Sequence, residues 1–120
     1  MISRASLQPL LIELTSSEGP TKVVRVSGAA RMDSGNELRD RLMGLIDGET
    51  RRLVLDLTDL EFINSMGLGG IVAAHLRLRS ANSEIMIAAP RPEIRELLNV
   101  TRLVKLFPVH DTVGSALAAS

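Results

Sequence analysis

Apolar residues recur along the chain in two rhythms, and these rhythms lay out the elements. Leu53-Val54-Leu55-Asp56-Leu57 is a nearly continuous aliphatic run with the length of a buried strand. Thr58-Asp59 marks a short turn, after which Leu60, Phe62 and Ile63 return before the polar pair Asn64-Ser65. From there Leu68, Ile71, Val72, His75 and Leu76 follow at helical spacing. That spacing predicts a helix over about 66–80, with Asn64 or Ser65 as its N-cap. The stretch reads as strand, short connection and helix start, with a serine hydroxyl at the junction. In open α/β sheets, ligands and partners bind where strand C-ends meet helix N-ends, so Ser65 is the residue to explain.

The same reading extends to both sides. Residues 8–15 (QPLLIELT) and 22–27 (KVVRVS) are strand candidates, and the turn cluster Ser16-Ser17-Glu18-Gly19-Pro20 joins them as an antiparallel hairpin. Residues 1–8 are polar and are expected to fray or to form an edge segment. Gly28 ends the second strand. Ser34 and Glu37 form a capping box for an amphipathic helix carrying Leu38, Leu42, Leu45 and Ile46 and ending near Gly48. Residues 83–88 (SEIMIA) make a further strand. Pro92 opens a third helix that buries Ile94, Leu97 and Leu98. Phe107-Pro108-Val109 reads as a short edge strand, and Asp111 as the cap of a last helix with Val113, Ala116 and Leu117 inward. The predicted order is β-β-α-β-α-β-α-β-α. Helices alternating with strands require crossovers, hence an α/β domain with a mixed, mainly parallel sheet that starts with an antiparallel hairpin. One domain spans residues 1–120, with its core over about 8–118.

Composition narrows the function classes. Hydrophobic residues make up 45% of the chain and the charges balance at 14 and 14, a soluble globular composition. A net charge of zero offers no electrostatic footprint for nucleic acid, and two Phe without Trp or Tyr leave little to stack bases on. The absence of cysteine removes disulfides, thiolate zinc sites and thiol catalysis. No apolar run approaches the roughly 18 residues of a membrane span, and the N-terminus lacks the long apolar core of a signal peptide. The expected location is the cytoplasm, with no membrane or nucleic-acid partner.

Enzymatic chemistry finds little support. Asn64-Ser65-Met66-Gly67 contains half of a nucleophile elbow, but Ile63 stands where that motif needs glycine. Of the two histidines, His75 lies more than two turns down the helix that Ser65 begins, which leaves only His110 as a base. Gly67-Leu68-Gly69-Gly70 lacks both the third glycine of a dinucleotide fingerprint and the Lys-Ser/Thr of a P-loop. No cofactor or metal is expected. The bland reading of Ser65 is a helix cap worth about 1 kcal/mol. Around it, Met66, Gly69, Gly70, Ala73 and Ala74 form a face of small residues. Glycine costs roughly 1 kcal/mol relative to alanine in a helix, so something approaches closely there. Either the face packs inside the domain, or it is a shallow docking surface beside Ser65.

The run Leu53-Val54-Leu55-Asp56-Leu57 followed by Phe62-Ile63-Asn64-Ser65-Met66-Gly67-Leu68-Gly69 resembles the signature of the STAS domain. More closely, it is similar to bacterial anti-sigma factor antagonists, whose motif is Asp/Asn-Ser-Ser/Thr/other-Gly-Leu-Gly. The resemblance covers about residues 8–118, including Gly28, the Pro92 helix and the segment from Leu98 to Val109. It implies a non-enzymatic binding module in which Ser65 is phosphorylated by a partner that is both serine kinase and anti-sigma factor. The unmodified form binds that partner, phosphorylation releases it, and a phosphatase resets the switch. On this reading the partner surface comprises Arg31, Asp33, Asn64, Met66, Gly67, Gly69 and Ala73, in a monomer or weak dimer. Asn64 replaces the commoner aspartate, Met66 stands where relatives often carry a second hydroxyl, and Ala29 and Arg31 stand where many antagonists are acidic. The site has thus lost negative charge relative to those proteins. The alternative is an adaptor or scaffold subunit of a larger complex, in which Ser65 is not modified.

Overall fold

The computed structural model describes residues 8–31 and 34–119, with the side chain of Ser34 outside the described set. The expectations for residues 1–7, Asp33 and the Ser34 capping box therefore lie outside the described residues. The elements are β1 (Leu11–Glu18), β2 (Thr21–Ala30), α1 (Ser34–Gly44), β3 (Arg52–Asp56), β4 (Leu60–Ile63) and α2 (Ser65–Arg79). They are followed by β5 (Glu84–Ala88), α3 (Pro92–Val100), a 3-10 turn (Leu103–Lys105), β6 (Val109–His110) and α4 (Val113–Ala118). The architecture is the expected α/β fold with a mixed sheet. β1 and β2 form the antiparallel hairpin, and the remaining strand pairings are parallel.

The element order differs from expectation by one strand. Leu60–Ile63, read as part of a connection, pairs with the C-terminal half of β2, whereas β3 pairs with its N-terminal half. β2 therefore continues through Gly28 to Ala30 instead of stopping there. A four-residue strand separated from its predecessor by only three residues leaves too short a turn signal to be separated in sequence. The sheet runs β1-β2-β3-β5-β6, with β4 beside the far end of β2.

Side-chain alternation splits the core between the two faces of the sheet. Val24, Val26, Leu53, Leu55, Ile85 and Ile87 share one cluster with Leu38 and Leu42 of α1 and with Leu68 and Ile71 of α2. Val23, Val54, Met86 and Ala88 point the other way and are covered by Ala116 of α4. Pro92 opens α3 at its first positions, as its fixed φ predicts, and Ile94 and Leu98 are buried. α4 corrects two expectations. Its cap is Thr112, whose hydroxyl accepts from the Ser115 N–H at 2.9 Å, while Asp111 pairs with Arg95 at 2.8 Å. Leu117, expected inward, is exposed, because α4 is a single short helix that buries only Ala116.

Candidate functional site

Ser65 is the first residue of α2, and the helix is capped by its predecessor. The Asn64 backbone is extended and its Oδ1 accepts the Gly67 N–H at 2.9 Å. This arrangement decides the bland reading of Ser65: the cap is Asn64, and among the described residues the Ser65 hydroxyl has no hydrogen-bond partner. Ser65 is exposed. The N–H groups of the first turn give the helix start a partial positive charge, and that turn holds no acidic side chain.

The small residues around Ser65 divide into two sets. Gly67 is buried, and a Cβ there would lie 2.7 Å from Cγ1 of Ile63 and 3.2 Å from Cβ of Ala30. Gly70 is buried against α1, where a Cβ would collide with the Gly35 carbonyl, and Gly35 in turn lies against the Met66 carbonyl. These glycines let the starts of α1 and α2 meet backbone to backbone. Ala74 is also internal. Gly69, by contrast, has open space where a Cβ would be, Met66 is 60% exposed, and Ala73 is half-buried. Together with Asn36 and Arg39 of α1, Ser65, Met66, Gly69 and Ala73 line a shallow groove of about 240 Å³. Part of the small face is thus internal packing, and part of it is an open surface beside Ser65.

Arg31 leaves the end of β2 beside this site. Ala30 pairs with Ile63, and the Asn64 N–H donates to the Ala30 carbonyl at 3.1 Å, so Arg31 follows directly on the strand next to the Asn64-Ser65 junction. Arg31 is exposed. Asp33 lies outside the described residues.

Phe62 and Arg39 were not read as site residues from the sequence. Phe62 is 42% exposed although the strand pattern points it inward with Leu60. The cause is a bulge: Gly28 pairs with Leu60 and the next residue, Ala29, pairs with Phe62, so Glu61 is the extra residue and the alternation breaks. Gly28 makes this possible with φ of +82°, and a Cβ there would strike the backbone of Pro9. A glycine followed by an apolar strand shorter than its partner was the available signal. Arg39 faces the groove from α1 and pairs with Asp40 at 3.1 Å.

Neither histidine serves Ser65. His75 is buried, with Nδ1 accepting the Ile85 N–H at 3.2 Å and its ring edge-to-face with Phe107 at 4.8 Å. His110 lies in β6, at the opposite edge of the sheet order from β2 and β4. Among the described residues, no helix is long and apolar enough to cross a membrane.

Fold and site together define an α/β module that presents an uncommitted serine at a helix start, beside exposed apolar side chains and an open glycine. The chain belongs to the STAS domain family, which matches residues 12–116. It is 28% identical over 109 residues to the anti-sigma F factor antagonist of Paenibacillus polymyxa, covering 90% of this chain and 92% of that protein. The crystal structure of an anti-sigma factor antagonist from Mycobacterium paratuberculosis superposes with a TM-score of 0.77 at 28% identity, covering 99% and 97% of the two chains. The Bacillus cell fate determinant SpoIIAA in its phosphorylated form gives a TM-score of 0.65 at 17% identity, with 92% and 97% covered, a likeness of fold alone.

Proposed function

We propose that this protein is an anti-sigma factor antagonist whose partner binding is switched by phosphorylation of Ser65. The observation that carries the reading is the division of labour at the start of α2. Asn64 takes the capping role, so the exposed Ser65 hydroxyl is left for chemistry beside the exposed Met66 and the open Gly69. Phe62, Met66, Gly69 and Ala73 form the docking surface for a partner that is both serine kinase and anti-sigma factor, with Gly67 shaping it from beneath. Arg31 flanks it. The likeness to antagonists of known name supports the class of partner, and the geometry supports the place of modification. A phosphatase completes the cycle.

A phosphate at this position is tolerated by the fold, because a helix N-terminus favours negative charge. Its cost falls on the partner, which would have to desolvate a group of about −1.5 to −2 charges. The adaptor reading, in which Ser65 stays unmodified, draws on the first turn of α2 having no acidic side chain and on Met66 where a second hydroxyl is common. Phosphate transfer separates the two. The chain is used to capture its partner, ATP is added, and intact mass with peptide mapping follows. One phosphate is expected on Ser65 and none on the Ser65→Ala chain. No uptake from a captured partner that is an active kinase would leave the adaptor reading in its place.

A further inference from the structure

At the end of the sheet opposite Ser65, the starts of β2, β3 and β5 and the last turn of α2 surround a concavity of about 680 Å³. Arg51 and Arg52 at the start of β3 and Arg79 at the end of α2 all line it, with Asn82 and Ser83 as polar neighbours and Glu84 as the sole carboxylate. Three arginines thus line one space with one acidic residue. Among the described residues none of the three is ion-paired, since the four ion pairs involve Lys22, Arg25, Arg39 and Arg95. Arg79 alone would be explained by the negative end of the α2 dipole. That explanation does not reach Arg51 and Arg52, which stand at the start of the interior strand β3 and line the same space.

The frame that brings them together is tightly tied. The Arg51 and Arg52 N–H groups both donate to the Pro20 carbonyl, at 2.8 and 3.1 Å, and the Glu84 N–H donates to the Arg51 carbonyl at 3.1 Å. Beneath them the buried Ser83 hydroxyl donates to the carbonyl of buried Thr50 at 2.6 Å. The Arg51 guanidinium is itself held on the carbonyls of Gly48 and Thr50. Like charges gathered on a fixed frame repel one another, and a bound anion removes that repulsion. Guanidinium forks match the oxygens of phosphate. No aromatic side chain lines the space, so phosphate groups and not a base would be recognised.

We propose that this concavity, lined by Arg51, Arg52 and Arg79, is an anion site for a small polyvalent phosphate, separate from the Ser65 surface. The test is titration calorimetry of the full chain with inorganic tripolyphosphate, with citrate as the non-phosphate polyanion. One site is expected, with tripolyphosphate bound more tightly than citrate. The double variant Arg52→Gln/Arg79→Gln should bind about a hundredfold more weakly, roughly tenfold for each charge-assisted contact removed. The variant Arg102→Gln/Lys105→Gln removes the same charge elsewhere and should bind as wild type. Should the double variant not fold, Arg79→Gln alone, at an exposed helix end, carries the comparison with an expected loss of about tenfold. Absence of binding, equal weakening in the charge-matched control, or preference for citrate would each overturn the site.

Discussion

Gly69 and Gly70 stand side by side in the second turn of α2 and meet different surroundings. Nothing lies within 4 Å of a Cβ built on Gly69, so Gly69→Ala gains helix propensity at no steric cost. It should stabilise the fold by about 0.5–1 kcal/mol. A Cβ on Gly70 collides with the backbone of α1, which cannot swing aside as a flexible side chain does. Gly70→Ala should therefore destabilise by about 1–3 kcal/mol despite the same propensity gain. Urea denaturation of both variants reads the opposite signs. His75 supplies a second prediction at this scale. Burial, with Arg79 nearby, holds its pKa below the ordinary 6.5, against a smaller opposing pull from Glu84. Its Nδ1 accepts from Ile85, so protonation there would also break a buried hydrogen bond. The unfolded chain then binds more protons than the folded one as pH falls through 6.5. Stability is complete above that value and declines below it, toward the folded pKa. Asp47 does not blur this window. The Glu49 N–H, Lys22 and Thr50 hold its pKa at about 2, and its ordinary value is 3.8. Denaturation midpoints at about pH 7.5 and about pH 5.5 should differ in wild type and converge in His75→Gln.

Among the elements, what could be read from sequence depended on how far each side chain's fate is local. β3, α2 and β5 were legible because Leu53 and Leu55, Leu68 and Ile71, and Ile85 and Ile87 recur with the period of their own element and all are buried. Ser65 was legible as a junction, because a polar pair separates a strand-like run from a helical one. β4 was not, because its pairing with β2 depends on a bulge at Glu61 that belongs to two strands at once. The same bulge turned Phe62 outward, so its exposure was hidden. The roles of Gly69 and Gly70 were hidden for a related reason: which one meets α1 depends on how two helices cross. That crossing leaves Gly69 at the groove, which gives the prediction for the proposed docking face. Gly69→Arg should abolish binding of the proposed partner while changing stability by about 0.5 kcal/mol, since it places a bulky charge in open space. Pull-down with the variant, alongside its urea midpoint, checks both halves. Binding at wild-type strength would remove the groove from the interface.

At the scale of the whole molecule, the parallel strands give the domain two distinct ends. One carries Ser65, Arg31 and the exposed apolar side chains where β2 and β4 finish. The other carries the arginine-lined concavity where β2, β3 and β5 begin. Between them lies a core buried on both faces of the sheet, so a phosphate added at one end has no need to reshape the fold. The proposed switch would then act through the surface it modifies. Its most direct test is calorimetric: the affinity of the partner for the unmodified chain and for the chain carrying one phosphate on Ser65, with Ser65→Ala alongside. Burying a hydrated dianion without a matching cation costs several kcal/mol, so the phosphorylated chain should bind about a thousandfold more weakly. Ser65→Ala should bind as the unmodified chain does. Equal affinity of the phosphorylated and unmodified chains would contradict the account.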